Sequence, residues 1–234
     1  MLIFAAMAIV LNIDTSTKIC SVAVAKDGVL LCLKEEYDEN YSHAEKLNVF
    51  IEAALAEAKI SLKDLNAIAV SKGPGSYTGL RIGVSTAKGL CFGLGIPLIA
   101  TNTLKALSFG ATTHPEFTAG SLLCPMLDAR RMEVYSQIFD EKLKEVRGIE
   151  AQIIDENSFF ASTQKMFIFG DGAKKCLSVL SNSNIHFLPD IQTSAQWMIP
   201  FSEEQFNAKA FEDVAYFEPF YLKDFIGGPK KKEN

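Results

Sequence analysis

The stretch SKGPGSYTGLRIGVSTAKGL, residues 71–90, decides how this chain folds. It follows the short apolar segment LNAIAV (residues 65–70), and beyond its glycines and hydroxyl residues the apolar positions recur at helical spacing. A buried strand, a turn and a helix are therefore predicted in succession. Such a turn presents unpaired backbone N–H groups at the positive end of a helix, where an anion can bind.

The residues of the turn are compatible with two uses. Gly73 and Gly75 flank Pro74, and the hydroxyl of Ser76 suits either a helix cap or a ligand contact. Two familiar phosphate-binding spacings do not fit. No Lys stands where GxxxxGK requires one, and GPGSYTG has one residue too many before its last glycine to match GxGxxG. The turn is therefore built like an anion site without matching either class.

Small residues recur every four positions along the predicted helix, at Gly79, Gly83 and Ala87. This spacing lets another backbone come close, either inside the domain or at a subunit contact. We predict a partner surface formed by this helix and the one expected over residues 42–59. Its members are Leu47, Ile51, Leu80, Gly83, Val84, Ala87 and Cys91. On this hypothesis Gly83→Trp abolishes pairing and leaves the monomer soluble, whereas unfolding would indicate internal packing.

The elements around this stretch give the order of the first half of the chain. Three strands come first, and the Lys-Asp-Gly sequence at 26–28 predicts a hairpin between the second and the third. A helix follows, and Ser42 and Glu45 have the spacing of a capping box at its start. The strand, turn and helix of the quoted stretch come next, and a further strand closes the half.

The second half of the chain repeats this order. Three strands are followed by a helix near 156–164, a strand, a helix over 172–180 and a last strand. Duplicated halves of this kind predict an α/β protein of the actin-like, sugar-kinase-like ATPase (ASKHA) fold, with two ribonuclease H-like domains and a ligand cleft between them. We place these domains at residues 1–104 and 105–226, followed by a disordered basic tail at 227–234.

Polar turns at strand ends are candidates for the lining of that cleft. The turn after the first strand, NIDTST, resembles the first phosphate hairpin of actin-like ATPases, in which a carboxylate organises hydrated Mg²⁺. The turn FGDGA resembles a nucleotide-facing turn. With the quoted loop, the nucleotide-like candidates are Asp14, Thr15, Ser16, Thr17, Gly73, Gly75, Ser76, Gly170, Asp171 and Gly172. Polar turns that cap their own backbone explain the same residues equally well.

Three further charged residues, Arg81, Asp128 and Arg130, are predicted to lie in a polar cleft or an interface. Asp128 and Arg130 belong to LDARRMEVYSQ, near the position in the second half that mirrors the first polar turn. A solvated hairpin turn is the alternative interpretation for this segment.

Composition limits the function classes. The chain has 234 residues, and 23 Lys and Arg against 28 Asp and Glu give a net charge of -5, which does not favour a dedicated nucleic-acid binder. Five dispersed cysteines without a CxxC pair are typical of reduced thiols in a cytoplasmic protein. No apolar run approaches the roughly 20 residues of a membrane span. Residues 1–6 are expected to be an upstream extension, with the start at Met1 or Met7 left open.

The motifs LNIDTST, GPGSYTGLRIG, DARRMEVY, FGDGA and FEPFYL together resemble the bacterial TsaB (YeaZ) family, over residues 9–222. This family is similar to TsaD, which attaches threonylcarbamoyl to the adenosine beside the anticodon of tRNA. The resemblance implies an inactive relative that pairs with TsaD and, with the ATPase TsaE, supports the reaction. The net charge of -5 indicates that most tRNA contacts belong to the partner, and a homodimer is expected in the partner's absence because a bare apolar helical face tends to self-associate.

The resemblance further implies that no residue here is catalytic. A TsaD-like enzyme holds its metal with an HxxxH motif, and this chain has Thr103 and Leu107 in the corresponding positions. Its histidines, His43, His114 and His186, are not spaced as ligands, so no metal site is expected. Whether ATP and Mg²⁺ bind in the cleft or at the partner boundary stays open.

Two enzyme classes are the alternatives to an accessory subunit. An actin-like phosphotransferase or ATPase would use Asp14 and the glycine turns, but a further acidic residue for that chemistry is not evident. A glycoprotease has the weakest support, because neither GxSxG nor HExxH occurs.

Overall fold

The computed structural model describes residues 8–39, 42–159 and 162–223. The tail predicted at 227–234 and the question of the starting Met lie outside these residues. Among the helices of the described part, none is both long and apolar enough to cross a membrane.

The first sheet has five strands in the order β3-β2-β1-β4-β5. They are β1 (Ile9–Asp14), β2 (Ile19–Lys26), β3 (Val29–Tyr37), β4 (Ala67–Ser71) and β5 (Leu98–Thr101). The first three strands are antiparallel neighbours, while β1, β4 and β5 run parallel. Asp27 and Gly28 adopt φ angles of 52° and 73° between β2 and β3, as the two-residue hairpin turn requires.

Two long helices pack on one face of the first sheet. They are α1 (His43–Ala58) and α2 (Tyr77–Leu94), with a short 3₁₀ helix at Leu62–Asp64 after α1. Leu47 and Ile51 of α1 and Val84 and Ala87 of α2 share one core with the apolar side of β1. The two helices are found where the helical periodicity of the sequence predicts them.

The second sheet repeats the strand order of the first. Its strands are β6 (Leu122–Asp128), β7 (Glu133–Phe139), β8 (Glu145–Ile153), β9 (Met166–Phe169) and β10 (Ile185–Phe187). Their order, β8-β7-β6-β9-β10, matches that of the first sheet with β6 in the place of β1. The predicted duplication is therefore confirmed in the topology of the two sheets.

The helices of the second half depart from the prediction. Residues 156–159 form a turn and the described residues 162–164 are not helical, so the helix predicted near 156–164 is wrong. The helix predicted over 172–180 is shortened to α4 (Ala173–Cys176). The capping box is also wrong, because the Ser42 hydroxyl donates to Asp38 Oδ2 (2.6 Å) instead of capping α1, although α1 begins where expected.

The remaining elements join the two halves. The helix α3 (Thr103–Thr112) contributes Leu104 and Leu107 to the core of the second sheet. A 3₁₀ helix at Ala195–Met198 and α5 (Ile199–Asn207) pack on the face of the first sheet opposite α1 and α2.

The end of the described chain also belongs to the first half. The Glu212 N–H donates to the Leu98 carbonyl (2.9 Å), and Val214 and Phe217 pack against the core beneath α1 and α2. The prediction of one continuous second domain over 105–226 is thus corrected. The chain crosses back after β10, because the apolar face of β1, β2 and β4 opposite α1 and α2 also needs a cover.

Candidate functional site

The carboxylate of Asp14 is buried at the end of β1, among hydroxyl groups of the same chain. Its Oδ1 accepts hydrogen bonds from the Ser16 N–H (2.9 Å), the Ser16 hydroxyl (2.6 Å) and the Ser71 hydroxyl (3.0 Å). Ser71 reaches it because the parallel neighbours β1 and β4 end at the same edge of the sheet. Burial raises the pKa of Asp14 above its ordinary value, and these hydrogen bonds oppose the rise.

The turn after β1 packs directly against the start of α2. Thr15 Oγ1 donates to the Gly79 carbonyl (2.7 Å), and the Ser76 N–H donates to the Ser16 carbonyl (2.6 Å). A Cβ atom on Gly75 would overlap Ser16, and one on Gly79 would overlap the backbone of Thr15. Polar atoms of residues 15–16 therefore occupy the space in front of the helix start, where the sequence predicts an anion.

Gly73 and Ser76 of the turn before α2 also have hydrogen-bond partners within the chain. Ser76 is the N-cap of α2, and its Oγ accepts from the Gly79 N–H (3.3 Å). Gly73 adopts a φ of 107°, and its N–H donates to Thr103 Oγ1 (3.1 Å) at the start of α3. The loop thus connects α2 to α3.

Thr17 joins three parts of the chain. Its Oγ1 shares a hydrogen bond with Thr193 Oγ1 (2.6 Å) in the segment that returns from β10. Its carbonyl lies 2.8 Å from His43 Nε2 in the first turn of α1. A carbonyl can only accept, so Nε2 carries the proton, and burial lowers the pKa of His43 below its ordinary value.

The other nucleotide-like turn lies where β6 and β9 end. The Asp128 N–H donates to Asp171 Oδ1 (3.0 Å), and Lys175 forms an ion pair with the Asp128 carboxylate. Protein surrounds the Asp171 carboxylate without sealing it from solvent, and this desolvation raises its pKa to about 6. The charge of Lys18 opposes this rise, so the Lys18 ammonium lies within electrostatic reach of the Asp171 carboxylate.

Both glycines of this turn are in close contact with β6. A Cβ atom on Gly170, whose φ is 98°, would overlap the Met126 carbonyl, and one on Gly172 would lie 2.8 Å from the carbonyl carbon of Leu127. The glycines at 170 and 172 are explained by this packing of the turn on the neighbouring strand.

Arg130 occupies an exposed turn between β6 and β7. Arg130 and Arg131 have φ angles of 71° and 50°, in the left-handed region that bulky residues rarely adopt. The Arg130 N–H donates to Asp128 Oδ1 (2.9 Å), which holds the turn in this conformation. Arg81 lies elsewhere, on α2, where its guanidinium stands 4.5 Å from the centre of the Tyr77 ring.

The predicted partner surface requires correction. All seven of its residues are buried within the chain, because α1 and α2 turn this side toward the first sheet. These residues are Leu47, Ile51, Leu80, Gly83, Val84, Ala87 and Cys91. A Cβ atom on Gly83 would overlap Thr15 Oγ1, so internal packing explains the small residues and Gly83→Trp is expected to unfold the chain.

The opposite side of α2 carries a second set of small residues. Gly89 and Gly93 have open space where a Cβ atom would stand, and Phe92 between them is 85% exposed. A groove lined mainly by α1 and the segment that follows it, with Leu55 among its residues, reaches α2 at Leu90. Helical spacing could have identified this side, since residues 89 and 93 point away from the apolar stripe of residues 80, 84, 87 and 91.

The metal-binding helix of a TsaD-like enzyme has no equivalent donor set here. Thr103 Oγ1 already accepts from the Gly73 N–H, and Leu107 is buried in the core of the second sheet. Among the residues that the structure describes, no three His, Cys, Asp or Glu side chains form a group that could hold a metal ion. These residues do not fit a metal centre.

Two sheets of the same strand order, joined by helices and each carrying a polar turn at the end of its central strand, define a protein of the actin-like ASKHA class. A solved structure with this architecture, YeaZ from Pseudomonas aeruginosa, superposes with a TM-score of 0.80 at 24% identity, covering 92% of this chain and 100% of that chain.

Sequence comparison then identifies the family. The family model of TsaD, tRNA N6-adenosine threonylcarbamoyltransferase, matches residues 39–217. The chain is 28% identical to the tRNA threonylcarbamoyladenosine biosynthesis protein TsaB of Escherichia coli, over 94% of this chain and 97% of that protein. It is also 28% identical to TsaB of Haemophilus influenzae, over 92% and 94% of the two chains. The chain therefore belongs to this family, within its TsaB (YeaZ) group.

Proposed function

We propose that this chain is a non-catalytic accessory subunit in the biosynthesis of tRNA threonylcarbamoyladenosine, and that it pairs with the catalytic subunit TsaD. The observation that carries the proposal is the outward face of α1 and α2, which combines the exposed Phe92 with an apolar groove and two uncovered glycines. The biosynthetic role named for its TsaB relatives supports the pathway.

The outward face suits a helical partner. Gly89 and Gly93, four residues apart, let a second helix approach the backbone of α2, and the ring of Phe92 offers an anchor beside them. The groove lined by Leu55 and Leu90 can receive an apolar side chain in return. The same exposed apolar surface favours self-association of this chain when TsaD is absent.

The closed polar turn supports a non-catalytic role. Asp14 is buried and accepts hydrogen bonds from Ser16 and Ser71. Across the turn, the Thr15 hydroxyl donates to the Gly79 carbonyl and the Ser76 N–H donates to the Ser16 carbonyl. A phosphate at the start of α2 would have to displace these bonds. The chain then acts by mass action: it binds the folded, competent form of TsaD and shifts the population toward it.

The remaining assignments follow from this role. TsaE and tRNA engage the assembled pair, and ATP with Mg²⁺ belongs to the TsaE partner or to a boundary between subunits. A phosphotransferase or ATPase activity of this chain would require the turn at Asp14 to open.

Pairing is tested by titrating TsaD with the full chain carrying Phe92→Asp. Ile153→Asp is the matched control, because Ile153 is 70% exposed but lies at the end of β8 in the second sheet. We expect Phe92→Asp to weaken pairing by about tenfold or more at an unchanged melting temperature, as a central aromatic anchor does, and Ile153→Asp to pair normally. Equal affinity of both variants would refute the proposed surface.

A further inference from the structure

We propose that this chain carries its own contact surface for single-stranded RNA, separate from the outward face of α1 and α2. The surface, here called the aromatic-basic ridge, consists of Tyr77, Arg81, Tyr221, Arg130 and Arg131. The inference rests on the proposed function for the identity of the RNA, a tRNA, but its physical basis is the arrangement of these five side chains.

The aromatic part of the ridge lies beside the first turn of α2. The rings of Tyr77 and Tyr221 stand 4.8 Å apart between centroids, and the Arg81 guanidinium stacks on Tyr77 at 4.5 Å. Tyr221 also lies close to the Arg81 guanidinium and raises the pKa of Arg81, so the three side chains form one group. Aromatic rings and guanidinium planes of this kind stack with unpaired bases.

The basic part of the ridge is the turn between β6 and β7. Arg130 and Arg131 are exposed, and the structure shows no hydrogen bond or ion pair from either guanidinium within the described chain. The two acidic side chains beside this turn are engaged, since Lys175 pairs with Asp128 and Lys223 pairs with Glu133, while the exposed Glu218 lies near Arg81 at the other end of the ridge. The strained left-handed backbone at 130 and 131 is thus held by the fold while both charges remain available to phosphates.

The two parts are joined through the end of the described chain. Lys223 is two residues beyond Tyr221, a separation of at most about 7 Å along an extended backbone. Its ammonium binds Glu133, whose N–H donates to the Arg130 carbonyl (3.1 Å). The ridge therefore crosses from α2 to the second sheet, with stacking groups at one end and free cationic charge at the other.

Single-stranded RNA fits this combination better than an acidic protein does. Phosphates would meet Arg130 and Arg131, while bases would stack at Tyr77, Arg81 and Tyr221, and an acidic protein has no use for the stacking groups. The overall charge of -5 makes such a local concentration of unpaired arginines stand out. The outward face stays available to TsaD, because Gly89, Phe92 and Gly93 lie in the second half of α2, and Phe92 is about 16 Å along the helix axis from Arg81.

The test measures binding of unmodified tRNA transcript to the full chain at several salt concentrations. We expect the double variant Arg130→Ala/Arg131→Ala to bind about tenfold more weakly, with the slope of log affinity against log salt reduced by about 1.4, as for two lost single-strand phosphate contacts. The matched control is Lys142→Ala/Lys144→Ala, which removes two exposed charges at the other end of β7 and should change neither quantity.

The stacking end is tested separately. Tyr221→Ala is expected to weaken tRNA binding by about fivefold or more, while Tyr221→Phe keeps the ring and most of the affinity. Duplex RNA of equal length should bind more weakly than the transcript, because its bases are not free to stack.

Three outcomes would overturn the proposal: no saturable tRNA binding by the wild-type chain at low salt, an equal loss in both double variants, or competition by polyglutamate as effective as that by RNA. The last outcome would assign the ridge to an acidic protein. Pairing with TsaD is measured on the same variants and should be unchanged, so a failure of the RNA contact is distinguishable from a failure of the accessory role.

Discussion

Glycines with the same four-residue spacing occur in both halves of α2, in opposite environments. In the first half, Gly79 and Gly83 press against Thr15, so the helix start and the β1–β2 turn have no room for a side chain between them. In the second half, Gly89 and Gly93 face open space beside an exposed Phe92. One helix thus uses the same pattern to pack inside the chain at one end and to leave a backbone accessible at the other.

The difference separates two interpretations that the pattern alone leaves open. Close packing of residues 79 and 83 holds the β1–β2 turn against the start of α2, beside Asp14, whereas the open positions 89 and 93 add nothing to the core. Changes at the first pair should therefore act on folding and changes at the second on assembly.

The largest expected effect is that of Gly79→Val. Its Cβ atom would overlap the Thr15 backbone, which cannot move without breaking the Asp14 cluster, so we expect a loss of about 3 kcal/mol or more in the free energy of unfolding. Urea denaturation measures it. Gly93→Ala is the control and should stabilise α2 by about 0.5–1 kcal/mol, as expected at an open helical position. Similar losses in both variants would abolish the contrast.

A bulky side chain on the open side should act on pairing instead. Gly89→Trp fills the space that a partner helix requires, so we expect affinity for TsaD to fall by about tenfold or more while the melting temperature stays within a few degrees. Gly89→Ala is the matched variant and should still pair. Unfolding of Gly89→Trp would show that this side is packed after all.

The hydrogen bond from Thr15 in the β1–β2 turn to Gly79 in α2 gives a further test of the packing at the start of α2. Thr15→Val removes the donor to the Gly79 carbonyl at a fully buried position, with an expected cost of about 1–2 kcal/mol by thermal or urea unfolding. Thr78→Val, one residue before Gly79 but exposed, should cost less than about 0.5 kcal/mol. A larger loss of unfolding free energy for Thr78→Val than for Thr15→Val would contradict the close packing of the β1–β2 turn on α2.

The smallest expected effect concerns Asp171, in the polar turn that follows β9. The folded-state pKa of Asp171 is raised to about 6 from an ordinary value of 3.8, so ionisation costs stability progressively as the pH rises from 3.8 through 6. Asp171→Asn retains an acceptor for the Asp128 N–H and removes this cost. The variant should gain stability relative to wild type between pH 5 and pH 7.5, by less than the pKa shift implies because solvent reaches the carboxylate. A constant difference across that range would contradict the raised pKa.

Much of the fold was accessible from the sequence because local patterns determine it. The hairpin at residues 26–28, the places of α1 and α2 in the chain and the duplicated strand order all follow from turn chemistry and periodicity. The helix near 156–164 failed because Asp155 accepts hydrogen bonds from the Asn157 N–H and the Ser158 hydroxyl, which close a local turn in place of a helix. The capping box at Ser42 failed because Asp38, in the residues just before α1, offered that hydroxyl another acceptor.

The site was predicted less completely, for physical reasons. The sequence identified Asp14, Ser76 and Asp171 as polar residues at strand and helix ends, and the structure places them in two separate hydrogen-bonded clusters. The sequence could not distinguish a turn that binds an anion from one that the chain's own polar atoms occupy, because both need glycines and hydroxyl groups. Nor could it show that the buried stripe and the partner face are different sides of α2, since that depends on how the helix sits on the sheet.

The accessory role is tested most directly by tRNA threonylcarbamoylation in a reconstituted mixture of TsaD, TsaE, ATP, threonylcarbamoyl-adenylate and tRNA. The reaction is run with the wild-type chain, with Asp14→Asn, or without the chain. Asn at position 14 keeps an acceptor for Ser16 and Ser71 but removes the charge that a Mg²⁺-nucleotide would need. Our account predicts that modification requires the chain and proceeds equally with Asp14→Asn. Loss of modification with Asp14→Asn, in a protein that still folds and pairs with TsaD, would contradict it.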